Sequence, residues 1–172
     1  MGKQQVIGLV LILVAAGLLG GAVLGPFSTY QEVQGYETAE ATIISSGMES
    51  ATEQEDGETE TEYYPRVEYE YSVDGTSYTD NRVFHASQIE NEPGELRGKE
   101  FDSQGDARDI VDSYPDGDTA SVFYDPADPD VSYLQDPSTD LLVTTAIMGL
   151  MGLVFGGIGI GGTLGLVSLN ED

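Results

Sequence analysis

Two long stretches of this sequence carry no charge, and they limit what the chain can fold into more than any other feature. Val6 to Gly25 is one such run of 20 residues and Leu141 to Leu169 another of 29. A bilayer's hydrocarbon core of about 30 Å needs roughly 20 apolar residues in a helix, so either run can cross it. A helix on the surface of a soluble protein keeps a polar face, and neither run has one. The expected architecture is a membrane protein with two transmembrane helices flanking a small domain. Residues 1–25 form the N-terminal anchor, 26–140 the domain, and 141–172 the C-terminal helix with a short tail.

The first run follows Lys3, as the apolar core of a signal peptide follows its basic leader. Its length exceeds the usual span of about 7–15 residues, and Ala22-Val23-Leu24-Gly25-Pro26 offers no small-x-small cleavage site. It reads as an uncleaved anchor. The amino terminus and Lys3 are the positive charges nearest the outer ends of the spans. The positive-inside rule then places both termini in the cytoplasm and the domain outside a cell membrane that the chain crosses twice.

Between the spans the sequence changes character. Residues 26–140 hold 29 of the 31 acidic side chains and 5 of the 6 basic ones, a formal charge of −24. Such a field repels nucleic acid, whose binding needs Lys and Arg to displace counterions. A surface this acidic and this poor in lysine resembles proteins of salt-in halophiles, where salt screens the self-repulsion. The acidity is read as solvent adaptation.

Pro26 is expected to end the first helix, with Phe27 and Tyr30 at the interface. Thr38–Ser46, rich in β-branched residues, reads as a strand. Gly47–Glu62 is acidic and almost without apolar residues, and reads as a solvated loop or a flexible hairpin tip. From Tyr64 to Val73 apolar and polar residues alternate: Val67, Tyr69, Tyr71 and Val73 on one face, Arg66, Glu68, Glu70 and Ser72 on the other. Asp74-Gly75 supplies a type I′ turn, and Thr76–Phe84 returns as the second arm of a hairpin. Ala86–Gln104 is irregular. Ala107, Ile110, Val111 and Tyr114 fall at helical spacing, which predicts a short helix over Ser103–Ser113. Ala120–Tyr124 and Val131–Leu134 are strands joined by the turn-rich Asp125–Asp130. The fold class expected is mainly β: about five antiparallel strands as an OB-like barrel or a sandwich, with one short helix between strands 3 and 4.

No constellation points to catalysis. The chain has no cysteine, hence no disulfide, thiolate metal site or Cys nucleophile. His85 is its one histidine, with Ser87 nearby but no orienting partner in view. Asp125, Asp128 and Asp130 offer oxygen ligands, yet lack the spacing, central Gly and closing Glu of a calcium loop; they are weak metal candidates, read first as two Asp-Pro turns. Glu53, Glu55, Asp56, Glu58, Glu60 and Glu62 form a self-repelling run. Tyr69, Tyr71 and Tyr78 are assigned to cross-strand packing. No cofactor is expected.

The spans hold no ionisable residue of the kind transporters place there. They do hold glycines four apart: Gly17, Gly21 and Gly25; Gly152 and Gly156; Gly157, Gly161 and Gly165. Such small-xxx-small stripes let helix backbones approach closely. They predict packing of one span on the other, and next to that on a second copy or another membrane protein. The partners expected are thus the lipid bilayer and such a protein.

The order of motifs is similar to that of a known family. Terminal membrane helices flank Tyr64-Pro65-x-Val67-x-Tyr69-x-Tyr71-x-Val73-x-Gly75-x-x-Tyr78, then Tyr114-Pro115-x-Gly117, then Val122-x-Tyr124-Asp125-Pro126-x-Asp128-Pro129. This resembles the DUF3592 family of membrane proteins of unknown function, in a haloarchaeal version. Gly47–Glu62 and Gln88–Gln104 follow the pattern least. The resemblance implies a membrane-anchored β domain and supplies no catalytic residues. The function expected is that of a non-enzymatic module mediating protein contacts, or an accessory subunit of a membrane complex. The alternative is a carboxylate-based hydrolase or a domain binding a divalent cation or other ligand.

Overall fold

A computed structural model describes residues 2–55, 58–89, 96 and 98–166. In chain order the elements are α1 (Lys3–Ala22), a π-helical turn (Val23–Phe27), α2 (Ser28–Val33), β1 (Glu37–Glu55), β2 (Glu58–Val73), β3 (Thr76–Asp80), a 3₁₀ turn (Ala86–Gln88), α3 (Gln104–Asp112), β4 (Thr119–Asp125), β5 (Asp128–Tyr133) and α4 (Ser138–Thr163). They fall into two compact units. One holds the described residues up to Glu32 and from Ser138 onward; the other is Val33–Pro137.

The first unit is a pair of apolar helices, each long and apolar enough to cross a membrane. Apart from Ile44, every exposed large apolar side chain among the described residues lies within 6–24 or 142–166. Leu24 is 83% exposed and Leu153 68%. A fully exposed side chain of this size gives up about 1.5–3 kcal/mol relative to an apolar setting, so a surface of this kind fits lipid and not water.

The first helix is interrupted at Gly25-Pro26 by a kink, with Gly25 at the non-helical φ −106°, ψ −106°, and a second short helix, Ser28–Val33, follows directly. A proline removes one N–H and crowds the turn before it. At the kink itself the carbonyls are met by a hydroxyl: Ser28 Oγ donates to Gly25 O at 2.7 Å and to Leu24 O at 3.0 Å. Side-chain bonds of this kind let prolines persist inside apolar helices.

The second unit is built on one antiparallel sheet with strand order β3-β2-β1-β4-β5. β1–β2, β2–β3 and β4–β5 are hairpins, and the segment carrying α3 takes the chain from β3 to β4. The β2–β3 turn has Asp74 at φ 52° and Gly75 at φ 82°, as a type I′ turn requires. The alternation in β2 sorts as expected: Val67, Tyr69 and Tyr71 are buried while Glu68, Glu70 and Ser72 are exposed. The core gathers these with Ala41, Ile43, Val83, Phe84, Val122, Tyr124 and Leu134, and Ile110 and Tyr114 pack against it from the helix side.

Neither the barrel nor the sandwich is what forms. Among the described residues there is a single sheet, and no ladder joins β3 to β5. The two edges meet instead through isolated bonds beyond the strand ends: Leu134 N donates to Arg82 O at 3.2 Å and Gln135 N to Val83 O at 2.9 Å. With edge strands of five and six residues there is little length over which a closing ladder could run.

Of the two readings of Gly47–Glu62, a solvated loop and a hairpin tip, the hairpin is the one that forms, and its paired strands run the whole length. β1 and β2 stay paired from Ser45↔Glu68 to Glu55↔Glu58, with Asp56 and Gly57 outside the described residues. A bulge at Ile44, which stands between Ile43↔Tyr69 and Ser45↔Glu68, marks where the ribbon leaves the five-stranded part. Asp116 Oδ1 holds the ribbon's base by accepting from Ser46 N at 2.7 Å, and Tyr63 exchanges two backbone bonds with Phe101. Beyond Tyr63 the five pairs from Ala51↔Glu62 to Glu55↔Glu58 have no third strand among the described residues. Thr52, Thr59, Glu60 and Thr61 are exposed, and no hydrophobic period betrays the pairing.

A further correction is local. Asp125–Asp130 is not a chain of turns: Pro126 and Ala127 alone turn, Asp125 opposes Asp128, and β5 begins there. Pro129 is tolerated because β5 is an edge strand.

Candidate functional site

Each unit has a place where side chains are held closely. In the helix pair it is a seam of small residues. Gly8, Ala15 and Ala22, seven apart, are buried on α1; Gly152 and Gly159, also seven apart, are buried on α4 with Gly161 and Gly162. A Cβ on Gly8 would stand 2.7 Å from Gly159 O, and one on Gly159 2.8 Å from Gly8 O. A Cβ on Gly152 would stand 2.7 Å from Leu19 Cγ. Only glycine permits this approach. A repeat of seven keeps one face of two helices together when they wind left-handedly around each other.

The glycines singled out by fours divide between two faces. Gly152 and Gly161 are buried. Gly21 and Gly156 touch the opposite helix, with Cβ positions 3.3 Å from Met148 Cε and 3.5 Å from Ala15 Cβ. Gly17, Gly25, Gly157 and Gly165 look onto open space, with nothing within 4 Å of a Cβ. Gly8 and Gly159, the tightest points, belong to none of the three stripes. The seven-residue spacing of Gly8, Ala15 and Ala22 was the signal that could have found them.

In the β domain the close-held group is polar, and it lies where the two sheet edges meet. Asp80 ends β3 with a side chain only 6% exposed. Its Oδ1 accepts from Asn81 N at 2.7 Å, Arg82 N at 3.2 Å and Arg82 Nε at 2.9 Å; its Oδ2 accepts from Ser132 Oγ at 2.8 Å. Ser132, on β5, is fully buried and lies 3.0 Å from Tyr69 Oη, which also donates to Arg82 O at 3.0 Å. Arg82 Nη2 reaches Asp130 O at 2.7 Å, and Tyr71 Oη donates to Pro129 O. Burial pushes the Tyr69 phenol well above its ordinary range, with the Asp80 charge adding to the shift. Burial likewise raises Tyr71. Both stay protonated donors at neutral pH.

This cluster laces β5 to β2 and β3, to which no ladder joins it. It offers no nucleophile in reach of solvent: Ser132 is enclosed and its proton is directed at a carboxylate. The sequence reading did not find it, because Asp80, Arg82 and Ser132 are separated along the chain and sit in no motif.

Asp125, Asp128 and Asp130 do not converge into a ligand set. Asp125 Oδ1 accepts from Ala127 N at 2.8 Å and so shapes the β4–β5 turn. Asp130 serves Arg82 through its backbone carbonyl. Among the described residues no group of three or more His, Asp or Glu side chains is placed to hold a metal ion. His85 is buried and starts the 3₁₀ turn, with Nδ1 accepting from Ser87 N at 3.0 Å and lying 2.8 Å from Ser87 Oγ. Its ring packs on Tyr133 at 4.7 Å between centroids. The His85–Ser87 pairing therefore caps a turn. On β4, Tyr124 Oη donates to Glu37 Oε2 at 2.9 Å, and that carboxylate raises the phenol's pKa.

A comparison with curated proteins gives no match. A family profile described as a domain of unknown function (DUF3592) matches residues 39–139. That is more than half of the chain and covers the whole sheet from Ala39 onward, and the chain belongs to the DUF3592 family.

Proposed function

We propose that the protein is a two-span membrane anchor carrying a β domain that makes protein contacts outside the cytoplasmic membrane, as an accessory part of a membrane assembly. The observation that carries this reading is the two-stranded end of the β1–β2 ribbon. A lone pair of strands is marginally stable in water. Its outer edges also present N–H and C=O groups that another chain can pair with. The acidic side chains along it keep copies of the domain from pairing edge to edge. In the spans, Gly17 and Gly157 face away from the α1–α4 seam, which leaves room for a further helix. The single lysine near the N-terminus supports cytoplasmic termini.

A photo-crosslinking residue at Thr61, in the ribbon, should give a discrete adduct in native membranes, and one at Ser72, on the exposed face of β2, should not. Equal labelling at both sites, or none at Thr61, would sink the contact reading. Protease added outside sealed cells should cut the ribbon; cleavage seen only in inside-out vesicles reverses the orientation.

A further inference from the structure

Residues 26–140 carry 29 acidic side chains against five basic ones, yet three of those five line one cleft. It has a volume of about 830 Å³ and opens between the middle of β2, the segment after β3 and residues 98–99. Val83, Phe84 and Ile89 give it an apolar lining, and Arg66, Arg82 and Lys99 give it cations. We propose that this cleft binds a small organic anion, a carboxylate attached to an apolar body.

Each cation is held in place from within the domain. Arg66 Nε lies 2.9 Å from Glu49 Oε2, and its Nη1 is 2.8 Å from where a Cβ on Gly98 would be. Gly98 has φ +123°, a conformation that glycine alone adopts readily. Arg82 is fixed by Asp80 and Asp130 O, which take two of a guanidinium's five N–H donors. The Lys99 ammonium rests 5.0 Å from the centroid of the Phe84 ring and 5.7 Å from that of Phe101. Aromatic faces attract a cation without neutralising it. Lys99 therefore brings a positive charge to a cleft with an aromatic wall, and a carboxylate with an apolar body matches both features.

Preorganised cations surrounded by an acidic surface also make a selective site. The domain's field opposes anions everywhere else, so one that binds does so by contact and not by general attraction. This inference is independent of the two-stranded end of the ribbon and of any protein partner.

The test uses the full chain in phosphatidylcholine nanodiscs, titrated calorimetrically with three probes. Benzoate has the charge and the ring, benzamidinium has the ring with the opposite charge, and inorganic phosphate has charge alone. Benzoate should bind saturably, phosphate at least tenfold more weakly, and benzamidinium not at all. Lys99→Gln should weaken benzoate at least fivefold and Lys99→Arg less than twofold. Should Lys99→Gln fail to fold, Ala86→Glu places an anion on the exposed rim and should weaken benzoate to a similar degree. Absence of saturable benzoate binding overturns the proposal. So does benzamidinium binding as well as benzoate, or indifference of benzoate to every one of these substitutions. Phosphate binding as tightly as benzoate overturns the assignment to an organic anion.

Discussion

Asp80→Ala is the perturbation that separates two accounts of the seam between the sheet edges. If the seam holds because every buried polar group has a partner, then removing the carboxylate is costly and replacing it by an amide is not. Alanine takes an acceptor from four donors: Asn81 N–H, Arg82 N–H, Arg82 Nε and Ser132 Oγ. Arg82 is 41% exposed and regains water, which discounts its share. Ser132 is enclosed, but its hydroxyl can turn to Tyr69 Oη. Breaking a buried ion pair from one side costs about 3–5 kcal/mol, and the exposed arginine puts this case near the lower end, about 3 kcal/mol. In Asp80→Asn, Oδ1 keeps its three donors. Nδ2 donates to Ser132 Oγ, Ser132 donates to Tyr69 Oη, and Tyr69 donates to Arg82 O, so the chain of bonds is complete. What is lost is charge assistance, about 1 kcal/mol. Guanidinium unfolding of the full chain in nanodiscs, followed by the near-ultraviolet dichroism of the tyrosines, reads both values, and an unchanged slope shows that the two states are the same. If Asn and Ala cost the same, the charge and not the completed network holds the seam, and the reasoning is refuted.

The helix seam predicts that Gly159→Val and Gly8→Val separate α1 from α4 and cost about 1–3 kcal/mol by overpacking, whereas Gly17→Val and Gly157→Val, facing open space, leave the pair intact; thermal unfolding in nanodiscs orders the four. Gly75→Ala puts a Cβ at φ 82° and should cost about 1 kcal/mol on the same assay. Tyr69, Tyr71, Tyr114 and Tyr124 all have phenols raised above the ordinary value of 10.0, by burial for the first three and by the Glu37 carboxylate for Tyr124. A raised folded-state pKa means that the native state holds the proton longer than the unfolded one. Its contribution is therefore complete below pH 10 and lost as pH climbs above it. Unfolding should accompany tyrosinate absorbance at 295 nm above pH 10, and Tyr69→Phe should flatten that part of the stability profile.

What the sequence discloses and what it conceals follow from one physical distinction. Periodicity in a sequence records which side chains leave water; it does not record which backbones pair. In Tyr64–Val73 the two coincide, so Val67, Tyr69 and Tyr71 could be placed inward and Asp74-Gly75 at the turn. In Gly47–Glu62 they part company: the backbone is laddered but apolar residues are almost absent, and the same residues read equally as a loop or a hairpin tip. Seam residues are concealed for a related reason. Asp80, Arg82 and Ser132 become neighbours only because a sheet of five strands curls until its short edges meet, which no local spacing encodes. The spans show the distinction within a single pattern. Glycines four apart rotate about 40° around a helix at each step and soon leave the contact face, while residues seven apart drift back by about 20°. Gly17 and Gly25 accordingly end on the open side, and Gly8, Ala15 and Ala22 stay on the seam. The cations of the cleft extend the same logic to function. Arg66, Arg82 and Lys99 are unremarkable as sequence neighbours, and their common address exists only after β2 and the segment after β3 have folded against residues 98–99. In a chain dominated by acidic residues, a ligand site is better sought among the few charges of the opposite sign.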